Sequence, residues 1–179
     1  MKDYLSVTKL ASRVCTSGDL HSESNEKPVD ATEGIKIQQL VQKRMETQEP
    51  RYRAEQGVQL EVSICGDVQM LRGRIDGFVN LSPNTRKVEE YKTTRSAPYS
   101  RGGTDWGQVF IYGAMKPSSE SIQSTEIELV YIHPDTLQET RFNSIYTPAQ
   151  LDLGLALILL LYEVREERHR ERISYRDSL

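Results

Sequence analysis

The chain has 179 residues, with 37% hydrophobic and 27% charged side chains and a formal net charge of −3. Those values fit one soluble globular domain over 1–179, long enough to bury a sizeable core. They exclude a protein that grips nucleic acid by bulk positive charge, while leaving room for a local basic patch around an acidic centre.

The two cysteines, Cys15 and Cys65, match no zinc spacing and cannot complete a four-thiolate iron–sulfur site. They read as reduced thiols, which places the chain in the cytoplasm, with nucleoid association in a bacterium. The N-terminus lacks a long apolar segment, so no signal peptide is expected. The apolar run LDLGLALILLLYEV at 151–164 is too short to cross a bilayer and holds Asp152, so it reads as a buried helix and no membrane is expected as a partner.

In chain order, LSVTKLASRV at 5–14 reads as a short helix with Ser6 or Thr8 near its start. Residues 16–30 are polar, with Gly, Pro, Ser and Asn, and read as a mobile loop. Ile35, Ile37, Leu40, Val41 and Met45 recur at roughly helical spacing, which predicts a helix over 31–47 that stops before Pro50. VQLEVSI at 58–64 alternates as a half-buried strand does. A Gly-Asp turn then leads into a long second strand, VQMLRGRIDGFVNL at 68–81. LSPNTRK reads as a turn and VEEYKTT at 88–94 as a third strand. After Gly102-Gly103 comes an amphipathic helix over 104–116, then two strands in TEIELVYIHP and LQETRFNSIYT. Thr147 or Pro148 opens a long C-terminal helix whose second half, EVREERHRERI, reads as a solvated charged face. The order predicts an α/β domain with a mixed central β-sheet of about five strands flanked by helices.

Asp76 lies on the second strand of this meander, and Glu90 and Lys92 near the end of the third. Residues 90 and 92 project to one face of their strand, and pairing of the two strands brings Asp76 beside them. Two carboxylates alone repel, so one tends to hold a proton. A hard divalent cation reverses that preference, because it favours both ionised. A lysine beside such a cation can orient a water or stabilise charge on a phosphoryl oxygen. As bare spacing, the same residues also fit a solvated cross-strand ion pair.

The stretches LRGRIDGF and VEEYKTT together resemble the PD-(D/E)XK nuclease superfamily, in its RecB-like branch. Gln108-Val-Phe-Ile-Tyr112 resembles the Gln-x-x-x-Tyr of that branch, and Ser6-Val-Thr-Lys-Leu10 followed by Cys15 resembles its opening helix. These four features stand in the family's order over almost the whole chain. The resemblance implies a restriction-endonuclease-like core. It implies Asp76, Glu90 and the backbone carbonyl of Tyr91 as ligands of Mg²⁺ or Mn²⁺, and Lys92 as the residue that positions the attacking water. It implies Gln108 and Tyr112 as contacts to the site or to the nucleic acid strand. Where the branch has Gly-x-x-x-His, this chain has Gly34-Ile-Lys-Ile-Gln38, so Gln38 offers a weaker neutral ligand and puts a fully occupied two-metal site in doubt. Some CRISPR-associated and AddB-type relatives hold an iron–sulfur cluster on four cysteines, and none is expected here.

Arg74, Arg95 and Arg101 are candidate substrate contacts, with Arg72, Arg51 and Arg53 nearby in sequence. Trp106 and Tyr99 are candidates to stack on bases, although Trp106 also fits a core position. His133, before Pro134, reads as a turn residue and His21 as solvated; Glu89 points away from the site, and Glu61 is a weak addition to the acidic cluster. The expectation is a metal-dependent deoxyribonuclease, exonuclease first, acting on single-stranded DNA or DNA ends in repair or recombination. Two other readings stay open: a nucleic-acid-binding accessory of a helicase with weakened catalysis, and a structural protein with fortuitous acids.

Overall fold

A computed structural model describes residues 4–16, 29–96, 103–115 and 122–177. The loop expected at 16–30 falls almost wholly outside these residues, as do His21, Tyr99 and Arg101. The elements are β1 (Tyr4–Ser6), α1 (Val7–Val14), α2 (Ala31–Gln48), β2 (Tyr52–Ile64), β3 (Asp67–Ser82) and β4 (Thr85–Thr93), then α3 (Gly103–Met115), β5 (Ser124–Ile132), β6 (Glu139–Tyr146) and α4 (Pro148–Asp177). They form an α/β domain around one mixed sheet, as the sequence predicts.

The sheet has six strands, with path β1-β3-β4-β5-β6 and β2 on the other edge of β3. The additional strand is β1, which sequence reading absorbed into the first helix. Three residues carry no periodicity, and only their parallel pairing to Met70–Arg72 makes them a strand. The helix starts at Val7, two residues later than expected, because the Ser6 side chain accepts the Lys9 amide at 3.1 Å. β2 begins at Tyr52, earlier than position 58, because its pairing with β3 continues to Tyr52↔Val79. The hairpin turn is Cys65-Gly66, both at positive φ (51° and 81°), not Gly-Asp. That is the two-residue turn whose twist suits a hairpin. α4 opens with a reciprocal cap: Thr147 N donates to Gln150 Oε1 at 2.9 Å, and Gln150 N to Thr147 Oγ1 at 3.4 Å.

The main core lies on the face covered by α1, α3 and α4 and includes Leu10, Leu71, Ile75, Ile111 and Leu129. A smaller core, Ile37 and Val41 of α2 on Tyr91, Val130 and Ile132, lies on the other face. α4 departs from its expected burial. Leu151, Leu155 and Tyr162 face inward, but Leu153, Leu157, Leu160 and Leu161 are exposed. A helix lying across a surface buries one stripe, and this run is apolar on more than one.

One feature of the pairing positions the site. β1 and β4 share the same edge of β3, end to end: β1 pairs with residues 70–72, and β4 from Gly77 onward. The β3–β4 ladder stops at Gly77↔Glu89, whereas β4 stays paired to β5 as far as Thr93. The two strands therefore splay between 73 and 76, and the acids stand at that opening.

Candidate active site

Asp76 sits where the ladder ends. Its Oδ2 accepts the Tyr91 amide at 2.9 Å, replacing the lost strand partner. Its Oδ1 accepts from Gln38 Nε2 at 2.7 Å, and its carbonyl from Gln42 Nε2 at 2.9 Å. In an extended strand a residue's N–H and C=O point to the same side, so the Tyr91 carbonyl faces the opening as well. Tyr52 supports this arrangement from the far face of the sheet: its hydroxyl meets Tyr91 Oη at 3.1 Å and the Asp76 carbonyl at 3.4 Å.

Glu90 is 3% exposed. Its Oε1 accepts from Lys92 Nζ at 2.8 Å and from Gln108 Nε2 at 2.5 Å. Its Oε2 is buried with no hydrogen-bond partner among the described residues. Lys92 also donates to Gln108 Oε1 at 3.2 Å, so Gln108 spends both ends of its amide on this pair. Asp105, in the first turn of α3, lies 4.0 Å from Lys92 Nζ.

Burial, then the neighbouring Asp76 charge, pushes the Glu90 carboxyl up to about 8. Burial likewise raises Asp76, against the Tyr91 amide and Lys92, which lower it. Burial alone would lower Lys92, but the charge and hydrogen bond of Glu90 outweigh it and hold the ammonium above its ordinary value. Burial therefore favours a proton on Glu90 near neutral pH, beside a charged Lys92. This is a site short of positive charge.

The sequence missed Glu55. Counting along the β2–β3 register places it opposite Asp76, the one position where no pair forms. Its backbone is left-handed, with φ of 55°, which costs a non-glycine residue about 1–3 kcal/mol. Its Oε1 accepts from Gln38 at 3.2 Å and Gln42 at 3.0 Å, and its Oε2 lies 2.5 Å from Arg74 Nε. No local pattern marks this residue, because only the hairpin register carries it to the site.

Of the expected residues, Asp76, Glu90, Lys92, Gln108 and Gln38 converge, and the Tyr91 main chain joins them. Tyr112 lines the opening from α3, next to Gln108 and within reach of the Glu90 and Asp76 charges. It is buried, its ring fills the space a side chain at residue 73 would need, and its hydroxyl accepts the Arg74 amide at 3.4 Å. It thereby supplies an acceptor along the edge of β3 that β1 and β4 leave bare. Arg74 is turned to Glu55, and Arg95 is held by Glu33 at 3.1 Å and Asp135 at 3.5 Å, so neither is a free substrate contact. Arg51 and Arg53 donate to Glu49 and to nearby main-chain carbonyls. Glu61 is exposed opposite Met70, outside the cluster. His133 caps its own turn, and Trp106 packs half-buried against the core. Glu89 lies on the opposite face with Lys87 at 2.9 Å, as strand parity requires.

No family model matches this chain, and no curated protein does. Among solved structures it is similar to the crystal structure of SSO0001, at 23% identity and a TM-score of 0.61, over 93% of this chain and 77% of that one. At that identity the likeness extends to the fold. Among the described residues no helix is long and apolar enough to cross a membrane.

Whether a cation fits rests on the donors. Among the described residues, no three His, Cys, Asp or Glu side chains converge as a preformed cage. Mg²⁺ does not require one, since it is held by one or two carboxylates with water and substrate oxygens. Asp76, the unbonded Glu90 Oε2 and the Tyr91 carbonyl supply that set. Gln38 directs its amide donor at Asp76 and would have to turn to offer its oxygen.

Proposed function

We propose that the chain is a metal-dependent deoxyribonuclease that hydrolyses phosphodiester bonds in single-stranded DNA or at DNA ends. The observation that carries this reading is the buried Asp76–Glu90 pair beside Lys92, with one Glu90 oxygen that has no hydrogen-bond partner among the described residues. Asp76, Glu90 and the Tyr91 carbonyl would hold Mg²⁺ or Mn²⁺, which when bound supplies positive charge and acidifies a water. Lys92, fixed by Glu90 and Gln108, is placed to orient a water and to stabilise charge on a phosphoryl oxygen. In hydrolysis the water oxygen joins phosphorus, a P–O bond breaks, and the departing oxygen takes up a proton. Gln108 keeps Lys92 and Glu90 in register, a positioning role.

A second reading rests on Gln38. Its amide donor already satisfies Asp76, as in a site adapted to stay without a cation. The chain would then be a nucleic-acid-binding accessory, for instance of a helicase. The deciding experiment is cleavage of end-labelled single- and double-stranded DNA in Mg²⁺, Mn²⁺ or EDTA, beside Lys92→Ala and Asp76→Ala. The nuclease reading expects metal-dependent cleavage reduced at least ~100-fold in both variants. Binding without cleavage in either metal supports the accessory. Cleavage that survives both substitutions removes this site from the chemistry.

A further inference from the structure

The second half of α4 is exposed almost throughout, as expected, but its charges are not evenly mixed. Arg165, Arg168, His169, Arg172 and Arg176 follow the spacing i, i+3, i+4, i+7, i+11, which gathers them on one stripe of the helix. Acidic residues lie elsewhere on the helix: Glu163 accepts the Cys65 amide at 2.6 Å, and Glu166 pairs with Arg13 Nε at 3.2 Å. Helical counting puts Glu167 and Glu171 on the far side. Against α1 this stripe lines a groove of about 380 Å³ whose walls include Arg13, Thr16, Arg165, Arg168, His169 and Arg172. Arg165 donates to the Arg13 carbonyl, and Glu166 offsets Arg13. Arg168 and Arg172 have no ion-pair partner among the described residues, in a chain of net charge −3.

The groove is also close to the acidic site through the fold. Cys15, next to Thr16, packs so tightly on Gly107 that an added Cβ there would lie 2.4 Å from its Sγ. The residue after Gly107 is Gln108, which holds Glu90 and Lys92. Groove and site therefore flank one helix–helix contact, α1 on α3.

We infer that this groove is a binding site for the phosphodiester backbone of single-stranded nucleic acid, separate from the acidic centre. From Arg165 to Arg176 the stripe runs about 16 Å at ~1.5 Å per residue, a length that several consecutive phosphates of one strand can follow. A row of guanidinium groups on a stripe of that length suits a phosphate chain better than a single small anion. The inference rests on the nucleic-acid part of the proposed function and not on catalysis.

The test is anisotropy of a labelled single-stranded 20-mer in EDTA at several salt concentrations. It compares the unmodified protein, Arg168→Ala/Arg172→Ala, Arg168→Lys/Arg172→Lys and the far-side control Glu167→Ala/Glu171→Ala. Losing two phosphate contacts should shrink the slope of log K against log[salt] by about 1.4, at ~0.7 per contact on single strands. The Lys variant should keep most of the slope, and the Glu control should not weaken binding. Hydrolysis of bis(p-nitrophenyl) phosphate, too small to reach the groove, should be unchanged in the Arg variants. An unmodified protein that does not bind, or an Ala variant with unchanged affinity and slope, overturns the inference. Arginine-dependent binding with no hydrolysis of any substrate leaves the groove standing and removes the nuclease reading.

Discussion

Replacing Glu90 by Gln tests the electrostatics of the site without requiring catalysis. The Glu90 carboxyl is raised from 4.5 to about 8, chiefly by burial. Between those two values the folded chain holds a proton that the unfolded chain has released. Stability from this group is therefore full below about pH 4.5 and falls as pH rises to about 8. The whole change is about 3.5 pH units at ~1.4 kcal/mol each, or about 5 kcal/mol. From pH 5.5 to 8 the expected loss is about 3 kcal/mol, a large share of the ~5–15 kcal/mol that holds a domain together. Gln keeps an oxygen for Lys92 and Gln108 but has no proton to lose. Urea unfolding in EDTA at both pH values should show the native chain losing about 3 kcal/mol more than Glu90→Gln. Mg²⁺ at pH 8 should restore much of the loss in the native chain and little in the variant, since a ligand bound only to the folded state stabilises it. Equal pH slopes in the two proteins would refute the argument that Glu90 is buried and short of positive charge.

Glu55→Ala should destabilise by about 1–3 kcal/mol, because Gln38, Gln42 and Arg74 lose their shared acceptor. Glu55→Gly should be more stable than Glu55→Ala by about 1 kcal/mol, the reverse of the usual order in a strand, since only Gly accepts φ of 55° without strain; chemical denaturation reads both. Gln38→His should strengthen Mn²⁺ binding at pH 8 by roughly tenfold or more, read by calorimetry, because a neutral imidazole replaces an amide that faces Asp76 as a donor. Unchanged Mn²⁺ affinity would show that Gln38 lies outside the cation's reach. Gly77→Ala should cost about 2–3 kcal/mol by thermal unfolding, since its Cβ would lie 2.6 Å from Tyr52 Oη and 2.7 Å from Glu89 Oε2, both packed behind the site; a neutral effect would mean the Tyr52–Tyr91 brace is loose.

Strand parity, helical spacing and capping residues act over a few neighbours, so they are legible in the sequence alone. They determine the α/β class, the long second strand, the common face of Glu90 and Lys92, the turn of Glu89 to the opposite face, and the starts of α2 and α4. The tertiary structure decides what depends on register and on neighbours distant in sequence. β1 is a strand only because β3 pairs with it. Glu55 joins the acids only because the hairpin register sets it opposite Asp76. Tyr112 shares a helix face with Gln108, and only the bare edge of β3 gives its hydroxyl a partner there, the Arg74 amide. Arg74 and Arg95 carry charge that other acids claim, and the basic stripe that helical spacing gives α4 becomes a groove only where α1 lies against it. Sequence states which groups a chain can bring to a site; packing decides which of them arrive with unspent charge or an unbonded oxygen.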